Sequence, residues 1–326
     1  IGFVHSAINK VPLPQKKINA LLHECRIPYS LLDEPHARVS LQQYAQLITQ
    51  LMRASDDELL GHAHAKLPVG SLSILTHWLV TAQSMGQVLH RFSRFYKIID
   101  KGLNITVEEE GDVFFIEIGD SLHAKNSSAF INEFTFFCIH RIFCWLRKDI
   151  FPIQHLYFPF EAPEYASDYR LMFYGAPMSF NTPSARIAFS RKLLDKPVIQ
   201  NSQSLSQLLE DPFTTLLLLN FYGDSWVSKV SSLLQARLES PLSLLQLASL
   251  IGIQPYTLQR RLAEEGTNYL AIKNQLKRDA AIELLVHTNL TIEEISVRLG
   301  FSETSPFTRT FKGWTGVPPS AYRNNQ

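Results

Sequence analysis

The stretch LGFSETSPFTRTFKGWTG, residues 299 to 316, places Phe307 and Phe311 four apart behind a glycine at 300 and leaves Arg309 and Lys312 on the other helical surface. A glycine supplies the positive φ that a tight turn between two helices needs, and apolar residues four apart make the inner face of the helix that follows. Forty-eight residues earlier, IGIQPYTLQRRLAEEG (251 to 266) repeats the plan with Gly252, Leu258 and Leu262. The helix before each glycine carries its own stripe, Leu244, Leu247, Ala248 and Ile251 in the first copy and Ile292, Ile295 and Leu299 in the second. Ala248 and Ser296 each precede a glycine by four, where a small side chain lets two helices approach closely. Two helix-turn-helix units are therefore expected in the last hundred residues, which hold no strand pattern of useful length and are divided by Gly252, Gly266, Gly300 and Gly316.

The outward residues sharpen this reading. Tyr256, Thr257, Gln259, Arg260 and Arg261 line the outer surface of the first copy, and Glu303, Thr304, Ser305, Thr308, Arg309 and Lys312 that of the second. An ordinary solvated helix carries paired Glu and Lys. Thr, Ser, Gln and Arg instead hydrogen-bond base edges and phosphates in a major groove. These residues are the expected DNA contacts, with Glu303 an exposed neighbour rather than a contact.

The stretch LGFSETSPFTRTFKGWTGVPPSAYR (299 to 323) resembles the C-terminal signature of AraC/XylS-type transcription regulators through its Gly-Phe turn, the Phe307 to Lys312 core, Trp314, Gly316 and the Pro319-x-x-Tyr322-Arg323 ending. The resemblance extends upstream through LASLIGIQPYTLQRRL and NYLAIKNQLKRDAAIELL. It implies a linker helix from Asn268 to about Val286, with Leu270, Ile272, Leu276, Ala280 and Leu284 on its buried side. About 19 residues at 1.5 Å each give roughly 28 Å, close to one turn of DNA. It further implies an operator as partner, RNA polymerase if the protein activates, and activation more than repression. Pro255 and Pro306 fall at or near the first turn of each recognition helix, where a missing N–H costs little.

Composition neither adds nor removes a nucleic-acid partner. The 326 residues carry a formal charge of +1, with 45% hydrophobic and 19% charged residues, the balance of an ordinary folded protein of two domains. Residues 224–326 hold 11 Lys and Arg against 9 Asp and Glu, a net of +2 by difference, so specific contacts or a second subunit have to supply affinity. Cys25, Cys138 and Cys144 have no zinc or disulfide spacing. His62 and His64 lack a third ligand, so no metal and no cofactor are expected. The most apolar run, FTFFCIHRIFCWL (134 to 146), is too short to cross a bilayer and reads as a buried helix. No basic and apolar leader opens the chain, and a cytoplasmic location is expected.

Upstream, SLQQYAQLITQLM and SMGQVLHRFSRFY have helical spacing, and LNITVEEEGDVFFIEI (103 to 118) alternates about a turn at Glu110, Gly111 and Asp112, as a β-hairpin does. A helix from about Ser127 to Arg147 follows, then strand-like HLYFPF (155 to 160) and YRLMFYGAPMSF (169 to 180). The fold class expected is an α+β N-terminal domain over residues 1–210, a connection over 211–223 through a polar stretch, and an all-α DNA-binding domain over 224–326. The order of elements resembles the arabinose-binding-like effector domain of some AraC-type regulators, which implies a small-molecule effector, apolar in character, and a homodimer formed through this domain. Phe114, Phe130, Phe134, Phe137, Tyr157, Phe158, Phe160 and Phe173 are its candidate pocket residues. A constitutive DNA-binding protein whose first domain only dimerises is the first rival. An enzyme tethered to DNA is the second, and no Walker loop, G-x-S-x-G or dinucleotide fingerprint supports it.

Overall fold

The computed structural model describes residues 1–99, 102–119, 129–217, 219, 226–265 and 267–323. The expected helix start at Ser127, Gly266 and the expected domain start at Asp224 lie outside the described residues. The helices are α1 (Gly2–Ile8), α2 (Gln15–Glu24), α3 (Leu41–Ser55), α4 (Ser71–Val80), α5 (Met85–Ile99), α6 (Ala129–Arg147), α7 (Tyr169–Met172), α8 (Ser202–Glu210), α9 (Pro212–Leu217), α10 (Trp226–Gln235), α11 (Leu244–Ile251), α12 (Pro255–Glu264), α13 (Tyr269–His287), α14 (Ile292–Arg298) and α15 (Thr304–Thr315). The strands are β1 (Asn104–Glu110), β2 (Val113–Gly119), β3 (Ile153–Tyr157), β4 (Met178–Ser179) and β5 (Ala185–Ser190). The chain divides into two compact units, one of Phe3–Ile18 with Ile48–Phe221, the other of Ile1–Gly2, Asn19–Leu47 and Tyr222–Gln326.

The first of these units is the α+β part. Its sheet runs in the order β1-β2-β5-β3-β4, antiparallel except for β3 beside β4. The hairpin forms where alternation and turn chemistry coincide: Glu110 pairs with Val113 and Gly111 takes φ +60°. Phe114, Ile116 and Ile118 point into the core with Ile187 and Phe189 of β5. On the opposite face Arg186 stacks 4.2 Å from the Phe115 ring and pairs with Glu108, Glu110 and Glu117. Helix α6 is buried along most of its length, and Phe143 meets Phe151 and Phe189 edge-on or tilted. It is the buried helix that the apolar run at 134 to 146 predicts.

Two expectations are corrected here. The composition of YRLMFYGAPMSF is strand-like, but Tyr169 to Met172 are helical and only Met178 and Ser179 pair in the sheet. Tyr169 and Phe173, four apart, are both fully buried, so the helical period governs a stretch whose aromatic content favours a strand. The polar stretch after Asp195 contains α8, capped by a reciprocal Asn201–Ser204 box and anchored by buried Leu205 and Leu208. Of the expected connection, Leu216 of α9 also lies in the first unit's core, and residues 218 and 220–225 lie outside the described residues.

In the helical unit, α13 serves both halves. Ile272 joins Val230, Leu234, Leu247, Ala248, Leu258 and Leu262 in one core. Farther along, Ala281, Ile282 and Leu285 are also buried, and α13 packs against α14 of the second half. The one-sided stripe expected for this helix is thereby corrected: Leu270 is 56% exposed, Leu276, Ala280 and Leu284 are half-buried, and of that stripe only Ile272 is fully buried. A helix packed against α10, α14 and the C-terminal turn buries residues on several sides, which blurs a single stripe. The Asn19–Leu47 segment closes on the same unit, with Arg26 donating to the Val286 carbonyl (3.0 Å) and the Arg38 N–H donating to the Tyr322 hydroxyl (2.9 Å).

Candidate nucleic-acid interface and effector recess

The duplication seen in the sequence is reproduced bond by bond. Helix α11 opens with a capping box in which Ser243 and Gln246 each accept the other's backbone N–H, and α14 opens with the same box from Thr291 and Glu294. Each box stands nine residues before its glycine. At the far end Ile253 donates to the Ala248 carbonyl (3.0 Å) and Gly252 to Ser249 (3.2 Å); in the second copy Phe301 donates to Ser296 (2.9 Å) and Gly300 to Val297 (2.9 Å). Both are Schellman closures, with the glycines at φ +80° and +69°. Ala248 and Ser296 are buried, as close approach of the helices requires. The second turn is one residue longer: α12 starts three residues after its glycine and α15 four.

Recognition helices α12 and α15 bury Leu258 and Leu262, and Phe307 and Phe311. The residues expected to meet DNA lie opposite. Tyr256, Gln259, Arg260, Arg261, Ser305, Arg309 and Lys312 are exposed, and Thr257, Thr304 and Thr308 are half-buried at the edges. Tyr256 is 74% exposed on the outer surface of α12. The two copies differ in charge state. Glu264 lies 3.5 Å from Arg260 and 3.4 Å from Arg261, whereas no ion pair within 4.0 Å is found for Arg309 or Lys312 among the described residues. Exposed pairs of that kind contribute at most about 1 kcal/mol, so a phosphate can displace Glu264 at small cost.

The α+β unit contains a small recess, open to solvent on one side, with about 40 Å³ of space inside it. Phe92, Phe95, Phe134 and Phe213 give it an aromatic wall, and Glu58 and Thr135 are polar members of the lining. Glu58 accepts the N–H groups of Gly70 (2.8 Å) and Leu72 (3.0 Å) at the start of α4. Burial nevertheless pushes its carboxyl up to about 7, against those hydrogen bonds. Thr135 is 5% exposed and its hydroxyl has no hydrogen-bond partner among the described residues. Of the eight aromatic residues expected to line a pocket, Phe134 does so. The other seven lie elsewhere: Phe114 stacks on Phe189, Phe130 on Phe134, Phe137 lies under Arg141, Tyr157 against His155, and Phe158, Phe160 and Phe173 belong to a cluster with Tyr169 and Phe180. His62 is a core residue whose Nε2 lies 3.1 Å from the Ala7 carbonyl, and burial pushes its pKa down to about 4.

Comparison with known proteins agrees with both halves. Residues 17–198 match the arabinose-binding domain of AraC transcription regulators, N-terminal part, and residues 247–325 match a helix-turn-helix domain. The chain is an AraC-family, DNA-binding transcription regulator. The ornithine utilization regulator of Pseudomonas aeruginosa is 24% identical over 305 residues, 93% of this chain and 90% of that protein. An uncharacterized HTH-type transcriptional regulator of Mycobacterium tuberculosis is 27% identical over 307 residues, 89% of this chain and 86% of the relative. The solved structure of the transcriptional regulator CdpR from Pseudomonas aeruginosa is 21% identical, covers 95% of this chain and 97% of that one, and superposes with a TM-score of 0.32.

The structure gives the signature residues of this regulator physical work. Tyr322 packs edge-on against Phe311, and Arg323 donates to the Leu290 carbonyl just ahead of α14, so Pro319-x-x-Tyr-Arg ties the end of the chain to the start of the second motif. Lys277, buried on α13, sets its ammonium 4.8 Å from the Phe301 ring in the second turn, and burial lowers its pKa. Sequence reasoning missed Lys277, Glu58 and Thr135. The first stands on α13 beside Lys273, Arg278 and Asp279, so nothing local marks it as the buried one. For the other two there was no local signal, because the recess draws its walls from residues 58 to 213.

Proposed function

We propose that this AraC-family regulator reads two successive major grooves with α12 and α15 and that a small effector, held in the recess of the α+β unit, changes its affinity for the operator. The recess carries this reading: its apolar wall includes Thr135, whose buried hydroxyl has no partner among the described residues, and a ligand that supplied one would offset the cost of that burial. On the DNA side, Gln259, Arg260, Arg309 and Lys312 supply base or phosphate contacts, with Tyr256, Thr257, Arg261, Thr304, Ser305 and Thr308 beside them. Activation through RNA polymerase, a dimer formed by the first domain and a cytoplasmic location are carried over from the family resemblance.

The test is to select an operator from random duplexes with the full chain, then measure its binding isotherm with and without a metabolite library, and transcription with RNA polymerase. A library fraction that shifts operator affinity is expected. An affinity indifferent to every fraction, together with unaltered binding by a chain whose recess is filled by Leu72→Trp, would leave the constitutive, dimerising protein as the better reading.

A further inference from the structure

The lining of the recess restricts what can bind there. Among the described residues that form it none is basic, and its one charged side chain is the Glu58 carboxyl. A carboxylate can accept about four hydrogen bonds, and here the backbone donors are Gly70, Ser71 and Leu72, which leaves room for a further donor. An anionic ligand would meet this carboxyl without a countercharge. A sugar would need a partner for every hydroxyl, and the wall is mostly Leu, Ile and Phe. A hydrocarbon without a polar group would leave the Thr135 hydroxyl as it is, buried and unpaired. The chemistry that fits has an apolar body for the rings and a head that both donates hydrogen bonds and brings positive charge.

We propose that the recess binds a small apolar amine, its ammonium group between the Glu58 carboxyl and the Thr135 hydroxyl and its hydrocarbon among Phe92, Phe95, Phe134 and Phe213. Aromatic faces favour a desolvated cation in addition to burying the hydrocarbon. The inference rests on the effector reading only in making the amine the signal; the site itself stands on the lining. Pairing with the ammonium draws Glu58 into its ionised form, so amine binding strengthens as the pH rises through about 7. The titratable neighbours of Glu58 are Asp57, Tyr96 and Cys138; Asp57 raises Glu58, and burial holds the Tyr96 phenol and the Cys138 thiol protonated across this window.

The experiment uses the full chain and calorimetric titration with 2-phenylethylamine, cyclohexylmethylamine and hexylamine, each beside its alcohol isostere and its carboxylic acid counterpart. At least one amine is expected to bind saturably, about tenfold or more tighter than its alcohol, and about tenfold tighter at pH 8 than at pH 6, from the ionised fractions of a group titrating near 7. Glu58→Gln should remove that preference and its pH dependence. Thr135→Val should weaken amine binding without lowering the melting temperature, since it removes an unsatisfied buried hydroxyl; this variant and Leu72→Trp decide the matter if Glu58→Gln does not fold. No binding by any of the three amines, tighter binding of an acid or alcohol, or amine binding untouched by these variants overturns the proposal. An acid or alcohol that binds and shifts operator affinity would sink the amine and keep the effector reading. An amine that binds in the recess while operator affinity stays fixed would do the reverse.

Discussion

Replacing each turn glycine by alanine separates two contributions that the duplicated motif otherwise shares. Gly252 and Gly300 both have positive φ, and an L residue there costs about 1 to 2 kcal/mol. Part of this is offset because alanine has fewer unfolded conformations, by about 0.4 to 1 kcal/mol, so Gly252→Ala should cost about 1 kcal/mol. A Cβ at 252 meets nothing within 4 Å. At Gly300 the same methyl group would stand 2.1 Å from the Glu239 carbonyl oxygen and 3.0 Å from its carbon. Backbone has to move by more than 1 Å, and overpacking of this kind adds about 1 to 3 kcal/mol. Gly300→Ala should therefore cost about 3 kcal/mol in total. Urea unfolding of both variants followed by far-UV circular dichroism reads the difference, provided that the m value is unchanged. Equal midpoints, or a larger loss for Gly252→Ala, would refute the packing of Glu239 against the second turn.

Four further outcomes are expected. Arg309→Ala and Arg260→Ala should each weaken operator binding by about 1 to 3 kcal/mol, the loss being larger at Arg309 because Arg260 is held partly by Glu264; parent-like salt titrations of both variants would discard the assigned faces. Inserting about five base pairs between the two protected half-sites should abolish the bidentate mode, since α13 fixes the separation of the recognition helices; undiminished affinity would mean that one motif alone is engaged. Burial raises the Glu133 carboxyl from 4.5 to about 7, so the stability it contributes is complete below 4.5 and lost as the pH rises through 7, by about 3 kcal/mol; Glu133→Gln should flatten that alkaline fall in urea melts at pH 5 and pH 8. A fragment from Asp224 to Gln326 should be helical and bind the operator without effector response, but melt below the full chain's helical unit, because Arg26 and Arg38 no longer bond Val286 and Tyr322; circular dichroism and an isotherm decide, and an unfolded fragment would place the core wrongly.

How far the fold was legible follows from the range of the forces involved. Glycine turns, apolar residues four apart and the hairpin at Gly111 are properties of a few consecutive residues, and the structure forms them where the pattern stands. The capping boxes at Ser243 and Thr291 are equally local and strengthen the repeat that the glycines already marked. Reading degrades where one segment answers to two neighbours. Helix α13 packs with α10, α14 and the chain end, so its buried positions no longer fall on the single stripe that Leu270 to Leu284 suggested. Tyr169 to Phe180 has strand-like composition, but burial of Tyr169 and Phe173 on one side of a turn of helix outweighs it.

The recess lies at the far end of this range. Glu58 follows α3, Phe92 and Phe95 sit on α5, Thr135 on α6 and Phe213 on α9, and no period in the sequence links them. Eight aromatic residues were candidates because aromatics line many pockets, yet aromatics also fill cores, and local pattern cannot separate the two. What separates them is an unpaired polar atom. Phe114 and Phe173 are surrounded by other rings and have nothing left to satisfy, whereas Thr135 lines the recess and its buried hydroxyl has no partner among the described residues. Restoring that partner is worth about 1 to 3 kcal/mol, enough to choose between ligands that share a hydrocarbon body and differ in one head group.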